Sequence, residues 1–186
     1  MKYLIVGLGN IGPEYEFTRH NIGFLTIDRL ADKEGARWKS DRLVFKTEVK
    51  YKGRTLHLIK PTTYMNLSGK AVNYWMKELG ISKENVLVLV DDVAIPFAKL
   101  RMRIKGSSAG HNGLKNIEEL TGGQDYPRLR MGIGDDFPKG RQIDFVLGRF
   151  TQKEFDELPL IMDKAIEMIF SFCTIGIAQT MTHFND

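Results

Sequence analysis

Apolar positions along this chain recur with two different periods, and the switches between them mark out the elements. Tyr3-Leu4-Ile5-Val6 is a short apolar run halted at Gly7, the pattern of a buried strand entering a glycine-rich loop. From Asn21 to about residue 34 the period is helical. Phe24, Ile27, Leu30 and Ala31 form the stripe, Asn21 is a candidate cap and Gly35 a stop. Over 43–51 the period shortens to two, with Leu43, Phe45, Thr47, Val49 and Tyr51 on one face. Lys52-Gly53 is a turn and 54–60 returns, so this stretch predicts a β-hairpin. Residues 61–68 lead into a helix that Ser68 caps and Gly80 ends, with Ala71, Val72, Trp75 and Leu79 facing inward. Residues 86–90 are apolar at every position, as in a central strand covered on both faces, and stop at Asp91-Asp92.

The second half continues the interleaving. Lys99, Arg101, Arg103 and Lys105 alternate with Leu100, Met102 and Ile104, which predicts a strand over 99–105 with one basic face. Residues 106–110 are a flexible Gly/Ser loop, and a short helix follows to about Leu120. Residues 129–134 read as a strand and 135–140 as an exposed loop. Thr151-x-x-Glu154 matches a capping box, and Pro159 fits the first turn of a helix over about 159–181. That helix would turn Ile161, Ala165, Met168, Ile169 and Phe172 inward. The expected class is α/β: one domain over residues 1–186, in three layers, with a twisted, mixed but mostly parallel sheet flanked by helices.

Composition narrows the setting. Hydrophobic content of 42% in 186 residues supports a proper core without staples. No apolar run approaches the roughly 18 residues of a membrane span, and Gly7 interrupts the first run too early for a signal peptide. The single cysteine, Cys173, has no partner for an internal disulfide, and as part of an apolar stripe it reads as inert core. The expected location is the cytoplasm. A net charge of +4 tilts the partner towards an anion such as nucleic acid.

Several groups compete for a chemical role. Gly7-x-Gly9-x-x-Gly12 follows a strand, as a dinucleotide fingerprint does, but Pro13 follows directly and residues 14–21 carry no helical stripe. The plainer reading is a loop that needs positive φ angles. His20 lies in a polar stretch, and alone it would be read as structural. Asp91, emerging from a buried strand, is well placed to orient an imidazole, although Asp92 beside it leaves the choice of carboxylate open. Asn10, Asn66 and Asn112 each sit at a loop–element junction. Each is a cap candidate alone; together in one cleft they would hold a peptide backbone, a water or an oxyanion. The face of Lys99, Arg101, Arg103 and Lys105 is either a solvated edge or a phosphate-contacting strip that Arg128 and Arg130 extend. The sequence has no nucleophile elbow, no phosphate-binding P-loop and no His-Glu-x-x-His, and its four histidines are scattered without metal-ligand spacing.

Four stretches taken together add a resemblance. They are Val6-Gly7-Leu8-Gly9-Asn10 with Tyr15 and Thr18-Arg19-His20-Asn21; Lys60-Pro61-Thr62-Thr63-Tyr64-Met65-Asn66-Leu67-Ser68-Gly69; Asp91-Asp92; and Gly110-His111-Asn112-Gly113-Leu114-Lys115. In this order the chain resembles the bacterial-type peptidyl-tRNA hydrolases over about residues 1–150. The resemblance implies a single-domain hydrolase, generally monomeric and needing no metal or other cofactor, that cleaves the ester between peptide and tRNA 3′ ribose. It implies His20 as the base, Asp91 as its orienting acid, and Asn10, Asn66 and Asn112 as ligands of peptide, substrate end or water. It places Tyr15 at the tRNA 3′ end, Met65 in the cleft wall and His111 near the cleft mouth, and assigns Arg101, Arg103 and Arg130 to tRNA phosphates. Ala94 departs from the family pattern, which has an acid there. A non-catalytic RNA-binding protein of the same fold is the alternative, and a nucleotide-cofactor enzyme a weaker one.

Overall fold

The computed structural model describes residues 1–185. The chain runs β1 (Lys2–Gly7), α1 (Ile22–Lys33), β2 (Lys39–Asp41), β3 (Val44–Tyr51), β4 (Arg54–Pro61), α2 (Ser68–Leu79), β5 (Val86–Asp92), β6 (Leu100–Arg103), α3 (Asn112–Thr121), β7 (Arg128–Gly132), α4 (Gln142–Val146), α5 (Gln152–Ile175) and α6 (Ile177–Phe184). Tight 3-10 turns at Pro13–Tyr15, Arg19–Asn21 and Met65–Leu67 sit in the loops at one end of the sheet.

The strands form one sheet in the order β2-β3-β4-β1-β5-β7-β6. Its centre, β4-β1-β5-β7, is parallel, and the pairs β2–β3, β3–β4 and β6–β7 are antiparallel. Alternate side chains of the central strands enter different cores, which is why those strands are apolar at every position. Tyr3, Ile5, Leu87 and Leu89 pack with α1 and α5, whereas Leu4, Val6, Val86, Val88 and Val90 pack with Ala71, Val72 and Trp75 of α2 and Leu114 and Ile117 of α3. The expected three-layer α/β class is the observed one. Arg29 and Lys33 of α1 converge on Asp163 of α5 and tie the helices of one layer together.

The glycines at the end of β1 act through closeness more than through φ. A Cβ at Gly7 would lie 2.5 Å from the Gly23 carbonyl oxygen, and one at Gly9 2.7 Å from the Phe24 ring. A Cβ at Gly23 would in turn lie 2.7 Å from both Leu8 N and Leu89 O. Only Gly12 of the three loop glycines has a positive φ, 117°, so the expectation of a positive-φ loop holds at that position alone.

Some boundaries differ from the sequence reading. The helix expected over 159–181 begins at Gln152, where Thr151 and Glu154 complete the capping box, so Pro159 lies inside α5 and not in its first turn. It also breaks at Gly176, whose φ of 90° separates α5 from α6. The basic strand is shorter than 99–105: it covers Leu100–Arg103, and Ile104 lies outside it, exposed. In β3 the expected face holds for Thr47 and Val49, but Phe45 is exposed and Val44 is buried against the Trp75 side of the sheet. Asn21 and Ser68 make no capping bond to their helices. Ser68 is the first residue of α2, and its hydroxyl donates to the Met65 carbonyl oxygen at 2.7 Å. At the outer edge, the Asn185 side chain pairs with β6 as a strand would, accepting from Met102 N at 2.8 Å and donating to Met102 O at 2.9 Å.

The crossing of β1 and α1 sets a test. Gly7→Ala is expected to destabilise the protein by about 1–3 kcal/mol, the usual cost of overpacking, with the urea midpoint lowered and the m-value unchanged. The segment around His20 should shift as well, because the displaced helix carries it.

Candidate active site

β5 delivers the central group of the site. Two residues beyond Leu89 on the α1-facing side comes Asp91, at the carboxyl end of the strand and buried. Two imidazoles share its carboxylate. His20 Nδ1, in the turn preceding α1, lies 2.8 Å from Oδ2, and His111 Nε2, at the start of α3, lies 2.9 Å from Oδ1. The two rings sit 5.0 Å apart, centroid to centroid. Two segments from opposite layers of the fold therefore meet over one strand end.

The protonation states follow from the remaining partners. His111 Nδ1 accepts from the backbone N–H groups of Gly113 and Leu114 at 3.1 and 3.4 Å, and so caps α3. It carries no proton there, so Nε2–H donates to Asp91. This is also why Asn112 is not the cap that its position suggested. His20 donates from Nδ1 to Asp91, which leaves Nε2 as its basic nitrogen. Burial pushes the Asp91 carboxyl up, but the charge and hydrogen bonds of the two histidines reverse this and hold it well below the usual range. Burial works against a charged His20 ring, and Asp91, by charge and hydrogen bond, outweighs it, so the pKa of His20 is raised above its ordinary 6.5.

His20, Asp91 and His111 would also be the natural place to look for a metal ion, since their ligand atoms lie within 4.8 Å of one another. The hydrogen bonding opposes that use. The His111 nitrogen facing the carboxylate must keep its proton while the other holds the helix terminus.

Asn10 is held from two sides. Its backbone N–H donates to Asn21 Oδ1 at 2.8 Å, and its carbonyl accepts from Asn21 Nδ2 at 2.9 Å. Its own Oδ1 accepts from Met65 N at 2.7 Å. Met65 N is presented by Tyr64, whose φ of 61° and ψ of 159° are a combination that residues with side chains avoid. Asn10, His20, Met65, Asn66 and Asn112 line one cavity of about 240 Å³, roofed by Ile143, Val146 and Leu147. On the other side of His20 a cavity of about 260 Å³ contains Asp91, Asp92, His111, the 108–110 loop and Arg130. All three asparagines thus reach the same space as His20. Tyr15 lines neither cavity.

Asp92 is the turn residue of the acidic pair. It accepts from Ala94 N at 2.8 Å and faces Arg130 at 3.4 Å. Arg130 also donates to the Ser107 carbonyl at 2.8 Å. Arg101 lies opposite Arg130 in the ladder and Arg103 opposite Arg128. Arg128 is not part of an exposed strip: it is fully buried and donates to the carbonyls of Gly106, Gln124 and Tyr126. Sequence reasoning passed over Arg19. Its guanidinium packs 4.1 Å from the centroid of the Phe145 ring and donates to Glu154 at 2.9 Å, which fastens α4 and the start of α5 beside His20. It also passed over the role of Asn21, read only as a cap, and over Gly23, whose one signal was a glycine inside a helical stripe.

With this geometry in place, comparison with known proteins is decisive. The family model described as peptidyl-tRNA hydrolase matches residues 4–186. The chain belongs to the peptidyl-tRNA hydrolase family. The Porphyromonas gingivalis peptidyl-tRNA hydrolase is 56% identical over 185 residues, covering 100% of both chains, and that of Cytophaga hutchinsonii is 55% identical, covering 100% of this chain and 98% of the relative. The crystal structure of the Acinetobacter baumannii peptidyl-tRNA hydrolase superposes with a TM-score of 0.92 at 34% identity, over 98% of this chain and 94% of that one. The activity is accordingly that of a peptidyl-tRNA hydrolase, and the family implies peptidyl-tRNA as substrate. No helix among the described residues is long and apolar enough to cross a membrane.

If a neutral His20 is the working form, activity rises with pH as the ring loses its proton. The acid limb of the kcat/KM profile is then expected above pH 6.5 in the wild type. Asp91→Asn should move it down, because the raising charge is gone. A pH–rate series on both proteins checks the shift.

Proposed function

We propose that His20 is the general base that activates water against the ester joining the peptide to the tRNA 3′ ribose. The observation that carries this reading is the His20 Nδ1–Asp91 hydrogen bond of 2.8 Å, with the ring on the boundary of two cavities. In this mechanism Nε2 takes a proton from water as the oxygen attacks the ester carbonyl carbon. Asp91 holds the ring and offsets the charge that it gains. The carbonyl π pair moves onto oxygen, where Asn10 Nδ2, with Asn66 and Asn112, supplies neutral donors in a partly closed space. When the intermediate collapses, the ester C–O bond breaks and the ribose oxygen takes the proton back from His20. His111, with its tautomer held by α3, positions Asp91 and does not compete as a base.

The tRNA lies on the side of Arg130 and Arg101, where like charges face each other across the β6–β7 ladder, an arrangement that phosphate relieves. Arg103 extends this strip, and Tyr15 lies closer to the 3′ end than to the reacting ester. The enzyme works as a monomer in the cytoplasm, as one domain. A purely RNA-binding role would leave a buried carboxylate between two oriented imidazoles without purpose.

His20→Ala is expected to lower turnover of N-acetyl-aminoacyl-tRNA by about 10²–10⁴-fold, the range for loss of a positioned base, while deacylated tRNA still binds. Wild-type turnover in that variant would overturn the assignment. Arg101→Ala should weaken tRNA binding and reduce the slope of log K against log salt by about 0.7–0.9, one phosphate contact; filter binding at several salt concentrations measures it.

A further inference from the structure

The amino half of the sheet carries a polar cluster that the hydrolytic mechanism does not use. Its centre is His57 of β4, whose partners in register are Leu4 of β1 and Glu48 of β3. On this face α2 packs over Leu4, Val6 and Ile59. One row further out, Lys2, Thr55 and Lys50 stand side by side across the three strands, and one row back Lys46 stands beside Ile59. The His57 side chain is only 7% exposed. Yet neither of its ring nitrogens has a hydrogen-bond partner among the described residues. Buried polar groups nearly always have one, so an orphaned imidazole calls for an explanation.

The groups around the ring are mostly cationic. Nδ1 lies 3.5 Å from Glu48 Oε1, and the same oxygen accepts from Lys46 Nζ at 3.3 Å. The ammonium groups of Lys2 and Lys50 donate to neutral partners, the Leu79 carbonyl at 3.3 Å and the Thr55 hydroxyl at 2.8 Å. Three ammonium groups thus share one carboxylate around the imidazole. Lys39 of β2 adds a fourth cation directly opposite Lys46, and like charges so placed repel. A cavity of about 400 Å³ beside β2 joins Lys39 and Arg37 to Lys46 and Glu48. Burial and the charge of Lys46 push the His57 pKa down to about 4; Glu48 opposes them, and Lys2 and Lys50 add to the lowering.

An oxyanion of higher charge than a carboxylate answers these features together. It balances the excess of ammonium groups and gives the orphaned ring an acceptor. Glu48, with 49% of its side chain exposed, is free to turn into solvent and make room. We propose that Lys2, Lys46, Lys50 and His57 form a binding site for a phosphate group, with Glu48 as the resident carboxylate that the phosphate displaces. The site is separate from the cleft, which lies beyond Gly7 at the other end of β1, and it does not depend on the role of His20. Such a phosphate comes either from a free anion or from an RNA backbone.

The test follows the His57 ring nitrogens by NMR in the full chain at pH 6, the signal being assigned by its loss in His57→Gln. Without anion the ring should be about 1% protonated at this pH, given its pKa of about 4. Saturating pyrophosphate should convert it to the charged form, because a nearby anion favours the imidazolium. Lys46→Gln and Lys50→Gln should each raise the Kd read from this signal by about tenfold or more, the worth of one charge-assisted hydrogen bond. Glu48→Gln should lower it, since the competing carboxylate is gone. Turnover of N-acetyl-aminoacyl-tRNA should stay at its wild-type value in all three variants. Lys50 and Glu48 are on the surface, so those two variants keep the comparison open if Lys46→Gln does not fold. A blunt RNA duplex, which has no aminoacyl end, is titrated in parallel. A response to the duplex alone assigns the site to RNA backbone, and a response to pyrophosphate alone assigns it to a free anion. A His57 ring unaltered by both, or a Kd unaltered by the lysine substitutions, would overturn the site.

Discussion

Everything at the site depends on how closely α1 approaches the ends of β1 and β5. At the crossing, Gly7 and Gly23 face each other with no room for a Cβ on either. This contact lets the helix begin almost on the backbone of Leu8 and Leu89. His20 is three positions before one glycine and Asp91 two positions after Leu89, so a contact between backbones fixes the distance between two side chains far apart in sequence. A hydrogen bond between two side chains tolerates little displacement, and in active sites generally a misplacement of about 1 Å can cost about 10²-fold in rate. The glycines therefore set the geometry of the site although their own atoms line no part of the cavity at His20.

The electrostatic design follows from placing a carboxylate in a buried position at a strand end. Such a charge is tolerated only with good partners, and here each oxygen has its own imidazole. The two imidazoles have unequal freedom. One is tied at its far nitrogen to a helix terminus, and the other has its far nitrogen open to the cleft, so the division of labour is set by backbone N–H groups and not by the side chains themselves. Asn21 does for Asn10 what a neighbouring strand would do, meeting its N–H and its C=O with one planar amide. The loop after β1 is thereby held in position although it belongs to no sheet.

The central strands, the first two helices and the α/β class were legible because burial on one or two faces writes itself into the period of apolar residues. Helix ends were less so. Pro159 looks like a helix start in isolation, yet the capping bonds of Thr151 and Glu154 hold the chain helical ahead of it. Thr151-x-x-Glu154 was visible in sequence as a cap, but not that Glu154 also receives Arg19. His20, Asp91 and the three asparagines were legible only as a set matched to a family, since each alone has an ordinary structural reading. Asn21 shows the limit. Its position at a helix start is that of a cap, and nothing in the local sequence says that its amide turns instead to a residue eleven positions earlier. Arg128 shows the reverse error, because a charge in an alternating pattern reads as exposed until carbonyls from a returning loop enclose it.

The sheet's two outer strands are guarded differently. β2 is only Lys39–Asp41, exposed and carrying charge at both ends, too short to recruit a partner. β6 is also short and carries Arg101 and Arg103, and there Asn185 in addition takes up both backbone groups of Met102. One carboxamide thus occupies the place where a foreign strand would dock. Self-association through open edges is a hazard common to sheet proteins, and here the side chain that covers one edge is remote from the cleft that holds His20 and Asp91.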